Sequence, residues 1–84
     1  MSRGMMDESE IDATGLLCPL PVLKARKALA AMPEGAVLRL LASDPAAIVD
    51  VPHFCTQAGH AFLGQHDAGD HVIYRLRKGT TSPA

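Results

Sequence analysis

The sequence predicts a two-layer α/β (α+β) sandwich in the order β-α-β-α-β-β, with two helices covering one face of a four-stranded mixed sheet. Three observations predict it. The apolar run at residues 37–42 reads as a central strand with little exposure, and two stretches opened by prolines, at Pro21 and Pro45, read as helices. Residues 71–77 alternate, with Val72, Tyr74 and Leu76 on one face. Connections through helices favour parallel pairing of the first strands, while the short turn at residues 67–70 favours an antiparallel final pair.

The elements follow in order. Residues 10–13 alternate and form a short first strand. The first helix is expected over residues 21–32, with Val22, Ala25, Leu29 and Met32 on one face and Lys24, Lys27 and Ala31 on the other. Pro19 and Pro21 fit its first turn, whose N–H groups have no intrahelical partner to lose, but a residue before proline avoids helical angles, so the helix starts at Pro21 rather than Leu20. Pro33, Glu34 and Gly35 stop it. After the strand at residues 37–42, Asp44 is set to cap a helix and Pro45 to open it. Asp50, Val51 and Pro52 repeat that signal, which predicts a short helical piece, a break near Val51 and a second helix ending at Gly59. Residues 61–66 are a weaker strand, and residues 67–70 a turn. One sheet face stays wet, which suits Arg39, Arg75 and Arg77.

With 84 residues the chain is one domain, and its two Phe, single Tyr and absent Trp leave the core to aliphatic side chains. A net charge of −1 gives no global attraction to nucleic acid, and no strong direct nucleic-acid binding is expected. The first ten residues are polar and acidic without an apolar stretch, so they are not a secretory signal, and no segment is long enough to span a membrane. No direct membrane contact is expected. Two cysteines in such a chain suggest reduced thiols and a cytoplasmic location. Residues 1–10 and 80–84 are expected to be flexible ends around a domain at residues 11–79.

Cys18 carries the chemistry. It lies in the run Gly15-Leu16-Leu17-Cys18-Pro19-Leu20-Pro21, at the head of the first helix. Unpaired N–H groups and the helix dipole there favour a thiolate, the reactive form of cysteine. Because Pro19 and Pro21 have no N–H, the amides of Leu20, Val22 and Leu23 are the expected donors, and the prolines stiffen the loop that presents the sulfur. Neither a Cys-x-x-Cys pair nor a Cys/His cluster at zinc spacing is present, and His53, His60, His66 and His71 form no ligand set by spacing. No metal site is expected. Cys55, between Phe54 and Thr56, is expected in the core, with a resolving thiol for Cys18 as the alternative reading. Asp44 and Asp50 are expected to be helix caps.

These residues carry a resemblance. The stretch from Asp12 through the Cys18-Pro19-Leu20-Pro21 motif (CPxP) is similar to the opening of the TusA/SirA family of small sulfur-carrier proteins. So, in order and spacing, are Ser43-Asp44-Pro45-Ala46, Asp50-Val51-Pro52-His53-Phe54-Cys55 and Leu76-Arg77-Lys78-Gly79. Many members have an acidic residue where this chain has Ser43. The resemblance implies a sulfur-carrier domain at residues 11–79 and the same β-α-β-α-β-β sandwich. It also implies that Cys18 accepts sulfur as a persulfide and passes it on, a sulfurtransferase activity without cofactor. Gly15, Pro19 and Pro21 would present the thiol. The implied partners are a pyridoxal-phosphate cysteine desulfurase or other persulfide donor and a downstream acceptor protein, with tRNA 2-thiouridine as one destination. Other branches serve sulfur oxidation, molybdenum-cofactor biosynthesis or selenium metabolism.

Arg26 and Lys27 follow Cys18 on the first helix and, with Asp44, are expected to bind a partner, while the bland reading of Lys24, Arg26 and Lys27 is a solvated face. Arg77 and Lys78 either extend that patch or solvate a strand end. Nothing in the chain demands more than a monomer. Two rival readings stand beside the carrier: a non-catalytic regulatory or adaptor module in which Cys18 is incidental, and an RNA-binding module by fold analogy alone.

Overall fold

The computed structural model describes residues 8–79. Their elements are β1 (Glu8–Asp12), α1 (Leu20–Ala30), β2 (Val37–Ala42), α2 (Ala47–Ala58), β3 (Ala61–Asp67) and β4 (Val72–Arg77). The sheet order is β1-β2-β4-β3, with β1 parallel to β2 and the other pairs antiparallel. The last strand thus inserts between β2 and β3 and takes a central place. The expected mixed four-stranded sheet with its two helices is present.

Period-two alternation sets which face each strand buries. Leu38, Leu40 and Ala42 of β2 and Tyr74 and Leu76 of β4 are buried against Ala25 and Leu29 of α1 and Val51, Phe54 and Cys55 of α2. The opposite face carries Arg39, Arg75 and Arg77 among the half-buried Val37, Leu41 and Ile73. Arg39 pairs with Glu10 at 3.2 Å and Arg75 with Glu8 at 3.9 Å, in keeping with the wet face read from the arginines. A register shift between Phe62 and Gly64 bends β3, the edge strand, where Gly64 has φ +139°.

The strands β3 and β4 differ from the sequence reading by one residue at one end each, and three elements differ by more. The first strand starts at Glu8, two residues early, because β2 offers partners that far: Glu8 pairs with Val37 and Ser9 with Leu38. The flexible end expected over residues 1–10 therefore overlaps β1 at residues 8–10. The remainder of that stretch, and the tail expected at residues 80–84, lie outside the described residues. Helix α1 begins at Leu20 and ends at Ala30, a shift of one or two residues at each end.

The third difference matters to the site. The break expected near Val51 does not occur, and α2 runs unbroken through Pro52. Proline removes the bond to the carbonyl four residues back, here that of Ile48 in the first turn, and the buried stripe of Ala47, Val51, Phe54 and Cys55 keeps the turns aligned. The helix is also entered late. Asp44, Pro45 and Ala46 form a tight turn, with Ala47 N–H bonded to the Asp44 carbonyl and Ile48 N–H to that of Pro45. Asp50 therefore sits inside the first turn of α2 instead of capping a second helix.

The far end of the molecule is closed by β4. Lys78 Nζ donates to the carbonyl of Leu29 (2.6 Å), which also accepts the Met32 N–H, and to that of Met32 (3.0 Å), just past the end of α1. Lys78 is thus a helix cap, not part of a docking patch or a solvated strand end.

Candidate functional site

The loop between β1 and α1 is built around Gly15, whose φ of +84° lets the chain turn back over the sheet. Asp12 Oδ1 accepts from the Thr14 amide (3.0 Å) and hydroxyl (2.6 Å), which holds the Asp12 carboxyl below its usual range. The Gly15 N–H donates to Ser43 Oγ at 2.8 Å and the Cys18 N–H to Asp44 Oδ2 at 2.6 Å. These two bonds pin the cysteine loop to the loop after β2, 26 to 28 residues away in sequence. Asp44 Oδ1 also accepts from the Ala46 N–H at 3.1 Å, so one carboxylate orders both loops. Its expected capping role is present in the turn that leads into α2.

Cys18 is exposed, at the head of α1 and beside a cis bond to Pro19. Its Sγ–H donates to Asp50 Oδ2 at 2.8 Å. This reverses the expected electrostatics. The hydrogen bond to Asp50, first, then desolvation and the negative charges of Asp50 and Asp44 hold the Cys18 thiol above its ordinary pKa. Two of the three amides expected to compensate are bonded elsewhere: the Leu20 N–H to the Leu17 carbonyl and the Leu23 N–H to that of Pro19. At neutral pH the resting form of Cys18 is a hydrogen-bonded thiol.

Sγ opens on a groove of about 210 Å³ between the two helices, lined by Cys18, Val22 and Arg26 on one side and Asp50, His53 and Phe54 on the other. Arg26 lies over the Phe54 ring, 5.9 Å from its centroid, at the rim of the groove, and pairs with no carboxylate among the described residues. The apolar side chains of Leu17 and Leu20, next to Cys18, and of Ile48 and Val49, next to Asp50, are exposed around it.

Among the residues expected at the site, Gly15, Pro19, Pro21, Asp44 and Arg26 gather around Cys18. Lys27 does not line the groove and stands exposed in the last turn of α1. Cys55 is buried in the core, and burial pushes its thiol up to about 11. Both cysteines are free thiols. Among the described residues no cluster of His, Cys, Asp and Glu could hold a metal ion, and no helix is long and apolar enough to cross a membrane.

The sequence reading missed Asp50 and Ser43 as neighbours of the cysteine loop. Asp50 carried a local helix-start signal that masked its tertiary role. Ser43 stood out only as a departure from the expected acidic residue.

The fold and site define a small two-layer α/β protein that displays one free thiol from a pinned loop and buries the other. Comparison with known proteins makes that class specific. The family described as Sulfurtransferase TusA matches residues 9–78. The sulfur carrier protein TusA of Pseudomonas entomophila is 38% identical over 88% of this chain and 92% of its own length. A putative sulfur carrier protein of Neisseria meningitidis is 52% identical over 69% of this chain and 78% of its own. Among solved structures, the SirA-like protein of Desulfitobacterium hafniense superposes with a TM-score of 0.75 at 26% identity, covering 84% of this chain and 97% of that one. The chain belongs to the TusA family of sulfur carriers.

Proposed function

We propose that Cys18 accepts a sulfane sulfur as a persulfide and hands it to the thiol of an acceptor protein. The observation that carries this reading is the presentation of Cys18: an exposed sulfur on a loop pinned by Ser43 and Asp44, at the mouth of a groove, with Cys55 buried away from it. A relay needs one sulfur that two partners can reach in turn. It also needs no competing thiol that would trap the cargo as an internal disulfide. The donor is a cysteine desulfurase or another persulfide-bearing protein, and tRNA 2-thiouridine is one destination of the sulfur, as the family resemblance implies.

Arg26 and Lys27 serve docking, with the Arg26 guanidinium already ordered over Phe54. Asp44 contributes by setting the Cys18 amide and by its charge beside the loop. The relay requires neither metal nor cofactor, and a reducing cytoplasm suits two free thiols.

Intact mass after incubation with a cysteine desulfurase and cysteine tests the reading, with inorganic polysulfide as a second donor. A reductant-labile gain of one sulfur that survives Cys55→Ser and vanishes in Cys18→Ser is expected. No gain from either donor would leave an adaptor role in its place.

A further inference from the structure

We propose that Asp50 is a catalytic proton carrier for Cys18, taking the thiol proton as sulfur is accepted and giving it to the departing donor thiolate. This rests on the sulfur-carrier reading above. A sulfur nucleophile works as the thiolate, yet the hydrogen bond that Cys18 Sγ makes is to a carboxylate, which opposes one. The prolines at 19 and 21 offer no N–H, and the Leu20 and Leu23 amides are spent on Leu17 and Pro19. Deprotonation must therefore come from a base within hydrogen-bond reach, which is the geometric requirement for proton transfer during attack.

Four titratable or charged groups face the sulfur: Asp44 from the loop, Arg26 from α1, and Asp50 and His53 from α2. Asp44 is committed through Oδ2 to the Cys18 amide and through Oδ1 to Ala46. His53 lines the groove without bonding to Sγ, and Arg26 cannot accept a proton. Asp50 alone bonds Sγ, at 2.8 Å, and among the described residues its carboxylate enters no ion pair that would compete. Its place on a helix that runs straight through Pro52 fixes it relative to the pinned loop.

The step balances without an external oxidant or reductant. Cys18 Sγ attacks the outer sulfur of the donor persulfide, an Sγ–S bond forms, and the donor's S–S bond breaks with its electron pair leaving on the donor sulfur. The Cys18 sulfur is oxidised from thiol to persulfide, and the donor is reduced from persulfide to thiol. The Cys18 proton passes to Asp50 Oδ2 and from there to the donor thiolate. On unloading, an acceptor thiol attacks the outer sulfur, Cys18 departs as thiolate, and the acceptor's proton returns to it through Asp50. Between unloading and the next loading Cys18 rests as the thiol hydrogen-bonded to Asp50.

The test sets two readouts against each other on the full chain. One is the pH profile of Cys18 alkylation by iodoacetamide, located by mass. The other is single-turnover loading from a persulfide-charged desulfurase. Asp50→Asn keeps the size and removes the base: its alkylation profile is expected to move to lower pH, while loading near pH 7 falls by about 100-fold. Asp50→Glu restores part of the loading. Unchanged or faster loading in Asp50→Asn overturns the proposal, as does slower loading with an unmoved alkylation profile, which would mean a structural role. Should Asp50→Asn not fold, the wild type still decides. Below the thiol pKa alkylation falls about tenfold per pH unit, whereas loading assisted by Asp50 stays nearly flat between about pH 6.5 and 8. Loading that tracks alkylation overturns the proposal. Failure of the wild type to load from either persulfide or polysulfide sinks the carrier reading itself, an outcome distinct from normal wild-type loading with an indifferent variant.

Discussion

Lys78 Nζ lies 2.6 Å from the carbonyl of Leu29, so the last strand caps the first helix across 49 residues of sequence. The ammonium meets two carbonyls at the negative end of the α1 dipole. Lys78→Met keeps much of the apolar stem and removes the charge. The expected loss is ~2 kcal/mol, the usual worth of hydrogen bonds to a charged group. Urea unfolding measures it, and sulfur loading of the folded variant at Cys18 should equal wild type, which separates capping from partner docking.

Gly79 approaches the other end of the same corner. A Cβ there would sit 1.7 Å from the Gly59 carbonyl oxygen, against backbone that cannot move aside cheaply. Gly79→Ala is expected to destabilise by ~2 kcal/mol or more, in the range of overpacked sites. A matching drop in the thermal midpoint checks it, and an unchanged midpoint would mean that the chain end simply lifts away.

Acid should loosen this corner too. His60 Nδ1 accepts the Gly79 N–H at 3.0 Å, and burial, then the nearby Lys78 charge, hold the His60 pKa below its ordinary 6.5. The unfolded chain therefore takes up the proton first as pH falls, and stability drops through and below pH 6.5 instead of rising. Unfolding free energies compared near pH 7.5 and pH 5.5 should show this loss, and His60→Gln should show a smaller one.

Tyr74 is fully buried, yet its hydroxyl has no hydrogen-bond partner among the described residues. A buried unsatisfied hydroxyl is a liability to the fold. Tyr74→Phe removes the oxygen and keeps the ring, so stability should be unchanged or higher by about 1 kcal/mol. A clear destabilisation would reveal a partner for the hydroxyl.

Asp44 joins the two loops at the site. Asp44→Ala removes acceptors for the Cys18 and Ala46 amides and is expected to cost ~1–2 kcal/mol. Amide exchange at Cys18 should quicken more than exchange in β2, and sulfur loading should slow. Asp44→Asn retains an acceptor and should fall between the two.

Local pattern made much of the fold legible. The bounds of β2, the buried face of β4 and the buried stripe of α1 all follow from apolar spacing, since burial acts on each element through its own period. Cys18 stood out through its neighbours in the chain, Gly15, Pro19 and Pro21. The break expected at Val51 arose from reading Pro52 as a local stop, when the stripe from Ala47 to Cys55 carries the helix past it. Asp50 was misjudged for the same reason.

The sequence by itself determined the element types, the mixed sandwich and which cysteine is exposed. These depend on side-chain periodicity and backbone restrictions acting within a few residues. Tertiary structure alone decided that β4 enters between β2 and β3, that Lys78 closes α1, and that Asp50 meets Cys18. Each joins groups 30 or more residues apart, whose hydrogen bonds form only after packing brings them together. The Cys18 thiol is held above its ordinary pKa by the hydrogen bond to Asp50 first, then by desolvation and the charges of Asp50 and Asp44, groups that only the fold brings to it.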